Sequence, residues 1–138
     1  MNTNQSLRDA TVQDIQLELI RRTRFNTFDG ERICDLLERY RSHWRAVLFD
    51  SPGLPNFDKP GSLLLSGLIK LRDLDTNIWN VDTVFVLTHT PDQARELEVA
   101  FEESNTGAMP RVISDMDETD RALGMMREEY GLLKVWWD

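Results

Sequence analysis

With 138 residues, 41% apolar and 29% charged, the chain is read as one globular domain, which excludes a disordered or fibrous protein. Its longest apolar run, Leu63 to Ile69, is broken by Ser66 and Gly67 and falls well short of the roughly 20 residues that span a bilayer, so no membrane contact is expected. The net charge of −8 argues against nucleic acid, whose binders carry a basic footprint.

That charge is unevenly spread. Residues 1–45 hold eight arginines against seven acids, +1, and residues 46–138 hold eight bases against seventeen acids, −9. Arg21, Arg22, Arg24, Arg39, Arg41 and Arg45 could form a local basic face, but interspersed charge more often pairs with acids nearby. The single cysteine, Cys34, leaves no internal disulfide framework and no multi-cysteine metal site. The opening MNTNQSLRDA lacks the charged stretch and apolar run of a secretory signal. The cytoplasm is the expected compartment.

Residues 1–10 are polar and read as disordered. From Thr11 the apolar positions Val12, Ile15 and Leu19 recur at helical spacing and predict an amphipathic helix to about Arg24. After a short connection, Asp29 is placed to cap a second helix, with Glu31 near the positive end of its dipole. Ile33, Leu36, Leu37, Tyr40, Trp44, Val47 and Leu48 keep the 3.6-residue period, which predicts that helix over about Gly30–Arg45. Whether Ala46–Phe49 extends it or opens a strand is left undecided by the pattern. Pro52, Pro55 and Pro60, with Gly53 and Gly61, make 51–62 a surface loop, because proline lacks the backbone donor that helices and sheets use.

Leu63–Leu71 is a strand candidate. Thr83–Thr88 is nearly continuous in β-branched and aromatic residues, the pattern of a strand buried on both faces. Thr90 then reads as an N-cap, Pro91 as the first helical residue and Gln93 as the reciprocal cap, for a helix through Ala94, Leu97 and Phe101 to about Ser104. Arg111–Ser114 is a short strand. Asp117 is placed to cap a helix carrying Ala122, Leu123, Met126 and Tyr130, which Gly131 would end in the left-handed conformation. Leu133–Trp137 is the final strand.

The C-terminal half thus reads β-α-β-α-β, and such connections normally join parallel strands by right-handed crossovers. The predicted class is α/β: two N-terminal helices, then a small mixed, mostly parallel sheet, all within one unit over 1–138. The alternative is an α+β, ferredoxin-like arrangement.

In an open parallel sheet a ligand binds outside the carboxyl ends of the strands. That edge would gather Thr88, His89 and Thr90, then Ser114, Asp115 and Asp117, with Trp137 and Asp138 after the last strand. His89 beside Asp115 could act as a general base, since a helix N-terminus favours the neutral imidazole. Thr88, Thr90, Ser114 and Asp117 are the accompanying ligand-binding candidates. Against this, Thr90 suits a cap, and the acids of 115–120 suit a helix start as well as they suit Mg²⁺. No glycine-rich phosphate loop, dinucleotide fingerprint or nucleophile elbow occurs. No cofactor and no resident metal are expected.

Four tryptophans are many for this length. Trp136 and Trp137 are adjacent on a strand and must face opposite ways. If Trp137 packs inward with Val135, then Lys134 and Trp136 share the other face, and an exposed tryptophan usually marks a contact site. The preferred reading is a non-enzymatic regulatory or protein-interaction module, a homodimer or the holder of another protein partner, with Trp136 and Lys134 at its interface. The alternative is a small enzyme with an acid/base or metal-assisted site near His89 and Asp115.

Overall fold

The computed structural model of the protein describes residues 6–51, 68–126 and 128–138. Helix α1 (Val12–Arg22) starts at Thr11, whose hydroxyl accepts the Asp14 N–H at 3.0 Å while the Asp14 carboxylate accepts the Thr11 N–H at 3.3 Å. A two-residue hairpin, β1 (Arg24–Phe25) and β2 (Phe28–Asp29), leads into α2 (Gly30–Arg39). A single 3-10 turn, Arg41–His43, follows, and then β3 (Trp44–Phe49). Beyond it come α3 (Ile69–Leu74), β4 (Thr83–Thr88), α4 (Pro91–Glu103), β5 (Met109–Val112), α5 (Met116–Leu123) and β6 (Gly131–Trp136).

The four strands β3 to β6 form one sheet in the order β3-β4-β6-β5, and every neighbouring pair is antiparallel. The predicted mostly parallel sheet is therefore wrong. β4 and β5 do run the same way and are joined through α4, as a crossover requires. But β6, the last strand, is inserted between them and hydrogen-bonds both, so each ladder becomes antiparallel. The element order is also not the β-α-β-β-α-β of a ferredoxin-like chain. What remains is a helix-and-sheet fold with two antiparallel sheets.

Alternation sorts the strands' residues onto two faces. Trp44, Val47 and Phe49 of β3, Val84 and Val86 of β4, and Leu133 and Val135 of β6 are buried against Leu17 and Ile20 of α1, Ile33, Leu36 and Leu37 of α2, and Leu97 and Phe101 of α4. Burying one such side chain stabilises by about 1.5–3 kcal/mol, so this cluster carries the fold. Trp137, just past β6, closes it: its ring meets Phe28 edge-on at 4.9 Å and Phe101 at 6.0 Å.

Several boundaries differ from the sequence reading. The second helix stops at Arg39, and the open question at Ala46–Phe49 resolves as strand from Trp44 onward. The 3.6-residue stripe that seemed to continue it is a coincidence of spacing, because Trp44, Val47 and Phe49 reach the core by strand alternation around an irregularity at Arg45. Ile69–Leu74 is helical, not strand, while the rest of that candidate, 63–67, lies outside the described residues, as do 1–5 and 52–62. Residues 6–10 form a hydrogen-bonded turn. Helix α5 ends at Leu123 with Gly124 in the left-handed conformation at φ 68°, whereas Gly131 opens β6.

Both edges of the sheet are closed by side chains. On β3, the Gln13 amide accepts the Val47 N–H at 2.8 Å and donates to the Val47 carbonyl at 2.9 Å, and Gln16 accepts the Phe49 N–H at 2.8 Å. Helix α1 thus turns Gln13, Gln16, Leu17 and Ile20 inward and leaves Val12 outside, 78% exposed, a different phase from the predicted apolar stripe. On β5, Pro110 has no N–H to offer and the Glu98 carboxylate accepts the Val112 N–H at 3.0 Å. Plugged edges resist pairing with a further strand.

Helix α4 begins with the predicted capping box: Thr90 accepts the Gln93 N–H and Gln93 accepts that of Thr90. Its first turn lies so near β6 that a Cβ on Gly131 would sit 2.8 Å from the Thr90 carbonyl and 2.8 Å from the Ala94 Cβ. Gly131→Ala should therefore cost about 2 kcal/mol by overpacking, read as a lower urea midpoint at unchanged slope. An unchanged midpoint would mean that α4 can retreat from the strand freely.

Candidate functional site

The strand ends were the first place to expect a site, and there the structure scatters the candidates. The carboxyl ends of β4 and β5 do share one end of the sheet, on either side of β6. Thr88 is buried and its hydroxyl donates to the Thr90 carbonyl at 2.7 Å. Thr90 is occupied as the α4 cap. His89 is exposed, and its backbone N–H bonds the His43 carbonyl at 3.3 Å. Asp115, not Asp117, caps α5, its carboxylate accepting the Glu118 N–H at 3.1 Å. Ser114 and Asp117 are exposed. Among the described residues no hydrogen bond joins His89 to Asp115. Trp137 and Asp138 lie at the opposite end, because β6 runs against β4 and places Trp136 across from Thr83.

The described hollows offer little more. One, of about 370 Å³, lies between the end of α1, Phe25 and residues 73–80. Arg22 and Arg24 line it, but Arg22 is paired with Glu18 at 3.2 Å and Arg24 with Asp29 and Glu31. Asp73 on its wall is held by the Arg72 guanidinium, which keeps its carboxyl below the usual range, and by Asn80. Arg21 also pairs with Glu18, and Arg45 with Glu128 at 3.4 Å, so much of the basic set of the first helices is neutralised locally. A second hollow, about 420 Å³, is bounded by Asp117, Asp120, Arg121 and Gly124–Met126. Its Asp120 carboxylate accepts the hydroxyl of the buried Tyr130. Burial first, then the hydrogen bond to the Asp120 carboxylate and last its charge push the Tyr130 pKa up to about 12.

A different surface is more distinctive. The sheet face turned away from α1, α2 and α4 carries Leu48, Phe85, Leu87, Leu132, Lys134, Trp136, Met109 and Arg111. The register sets Leu48, Phe85, Lys134 and Arg111 in one row across all four strands. In the next row Trp136 stands between Thr83 and Met109. Leu48, Met109 and Trp136 are 47%, 43% and 40% exposed. The Trp136 ring is held in place there: its indole N–H donates to Asp82 Oδ2 at 3.0 Å, and Asp82 Oδ1 accepts the Thr83 hydroxyl at 2.8 Å.

This placement gives the surroundings of Trp136 and Lys134, the pair expected at an interface. Trp137 is inside and Trp136 outside, so the first helix does not cover Trp136. The terminal strand, however, is not at a sheet edge, since β6 has a partner on each side. Leu48, Phe85, Met109 and Arg111, which share this face with Lys134 and Trp136, were missed by sequence reasoning. Only the strand register brings them together, and no local signal encodes it.

No family model, curated protein or solved structure matches this chain. Among the described residues no helix is long and apolar enough to cross a membrane, and no group of three or more His, Cys, Asp or Glu is arranged to hold a metal ion.

Two expected outcomes follow from these contacts. Millimolar Mg²⁺ should leave the melting temperature unchanged, because Asp115 and Asp120 are committed to a backbone N–H and to Tyr130. A ligand at one hundred times its Kd would add about 2.7 kcal/mol, so a clear rise in melting temperature would overturn that reading. The raised pKa of Tyr130 means the folded state favours its neutral form. Its contribution to stability is therefore complete below the ordinary tyrosine value near 10 and disappears as pH rises through about 12. Tyrosinate absorbance of the parent minus that of Tyr130→Phe should show this late titration, and a difference curve centred at the ordinary value would contradict it.

Proposed function

We propose that the protein is a non-enzymatic interaction module and that its contact surface is the open face of the sheet. The observation that carries this reading is a four-stranded face on which Leu48, Trp136 and Met109 stand in solvent around Phe85. Monomeric proteins seldom leave such apolar groups together without a use. The edges being plugged by Gln13, Gln16, Pro110 and Glu98, strand addition is disfavoured and a partner must approach the face. The strand-end candidates support the same reading by their dispersal: the Asp115 carboxylate caps a helix and His89 lacks it as a partner. The cytoplasmic setting expected from the single cysteine remains part of this proposal.

Self-association is one way to use the face, as the homodimer expectation has it, and a different protein is the other. A photoreactive amino acid placed at Met109 should yield a discrete covalent adduct in the cells that make the protein. The same group at Val99, 48% exposed on α4, should yield none. Mass spectrometry of the adduct separates a second copy from a different protein. Equal adducts at both positions, or none at Met109, would refute the open face as contact surface.

A further inference from the structure

We infer that the occupant of the open face is a carboxylate-bearing apolar segment of a different protein, received by Lys134 and Arg111. The inference rests on the interaction reading above and adds the chemistry of the partner. Arg111 and Lys134 are direct cross-strand partners. Like charges placed opposite one another on a sheet are destabilising. The chain has 24 acidic residues, yet among the described residues neither of these cations has a carboxylate within ion-pair distance. Arg45, on the opposite edge strand β3, does have one in Glu128. Among the described residues Lys134 and Arg111 are the two cations that face each other directly across a ladder, and a repulsion retained there is what a site built for something else carries.

The surroundings define the rest of the ligand. Phe85 lies in register with Lys134, and Leu48 lies beyond it in the same row. Met109 and Trp136 flank the cation pair in the next row. A segment with one or two carboxylates between apolar side chains would set its acids on the cations and its apolar groups on these neighbours. The face is half-buried at Lys134 and Phe85, which strengthens charge pairing relative to open water. The overall charge of −8 does not oppose this at contact range, since exposed charges are screened beyond about 8 Å at physiological ionic strength. A second copy fits less well, because a two-fold pairing of this face brings Lys134 and Arg111 toward their own equivalents.

Panning a phage-displayed library of short random peptides against the full chain tests this. Recovered peptides should be acidic, with aliphatic or aromatic residues between the acids. Their binding should fall about tenfold or more in Lys134→Glu and in Arg111→Glu, persist in Lys134→Arg and weaken with added salt. Urea melts of each variant confirm that it is folded. Peptides that are basic or neutral, or acidic peptides indifferent to both reversals, overturn the inference. If such peptides are still lost on Trp136→Ala, the open face stands as contact surface and only its acid chemistry falls. Recovery of no peptide, or a Met109 adduct to a second copy of this chain, also overturns the inference, and only absence of the Met109 adduct, or an equal adduct at Val99, removes the interaction reading with it.

Discussion

Everything in this fold depends on where β6 runs. By lying between β4 and β5 it hydrogen-bonds both, converts a pair of co-directional strands into two antiparallel ladders and places Leu133, Val135 and Trp137 at the centre of the core. The close passage of α4 over Gly131 follows from it, because the strand begins where the helix does. So does the orientation of the two adjacent tryptophans. Trp137 enters the packing of Phe28 and Phe101, and Trp136 is left on the opposite face under the hold of Asp82.

Putting the last strand in the middle leaves β3 and β5 as edges, and each is closed by a different chemistry. The glutamines of α1 imitate a strand, since a side-chain amide carries the same donor and acceptor as a peptide group. On β5 a proline removes one donor and Glu98 accepts the next. These contacts disfavour strand addition at the edges, and α1, α2 and α4 occupy one face of the sheet. The remaining face is the one the proposed interaction reading assigns to a partner, and Leu48, Phe85, Lys134 and Arg111 form a single row across it.

The strand-end candidates are dispersed for a related reason. Thr88, Thr90 and Asp115 all sit where helices begin close to strand ends, and helix starts demand acceptors for unpaired N–H groups. Two of them, Thr90 and Asp115, are consumed as caps, while Thr88 donates to the Thr90 carbonyl in the tight turn before α4. Among the described residues no side-chain hydrogen bond to a carboxylate orients His89, whose backbone N–H bonds the His43 carbonyl. The buried Tyr130 and the half-buried Asp120, by contrast, form a pair at the base of α5 that no motif announced.

The sequence by itself determined the features that depend on near neighbours. The capping box of α4, the strand at Thr83–Thr88, the final strand and the opposed faces of Trp136 and Trp137 were legible because cap bonds span three residues and strand alternation spans two. It was ambiguous where two periods coincide, as at Trp44 to Leu48, and where polar residues do a core-side task, as Gln13 and Gln16 do against β3. Only the tertiary structure decided which strands are neighbours. Pairing joins residues as far apart as Leu48 and Phe85 or Arg111 and Lys134 through backbone groups common to all residues, so local side-chain pattern carries no record of it. The parallel expectation failed on that point alone: a β-α-β segment fixes the direction of its strands but not what is inserted between them.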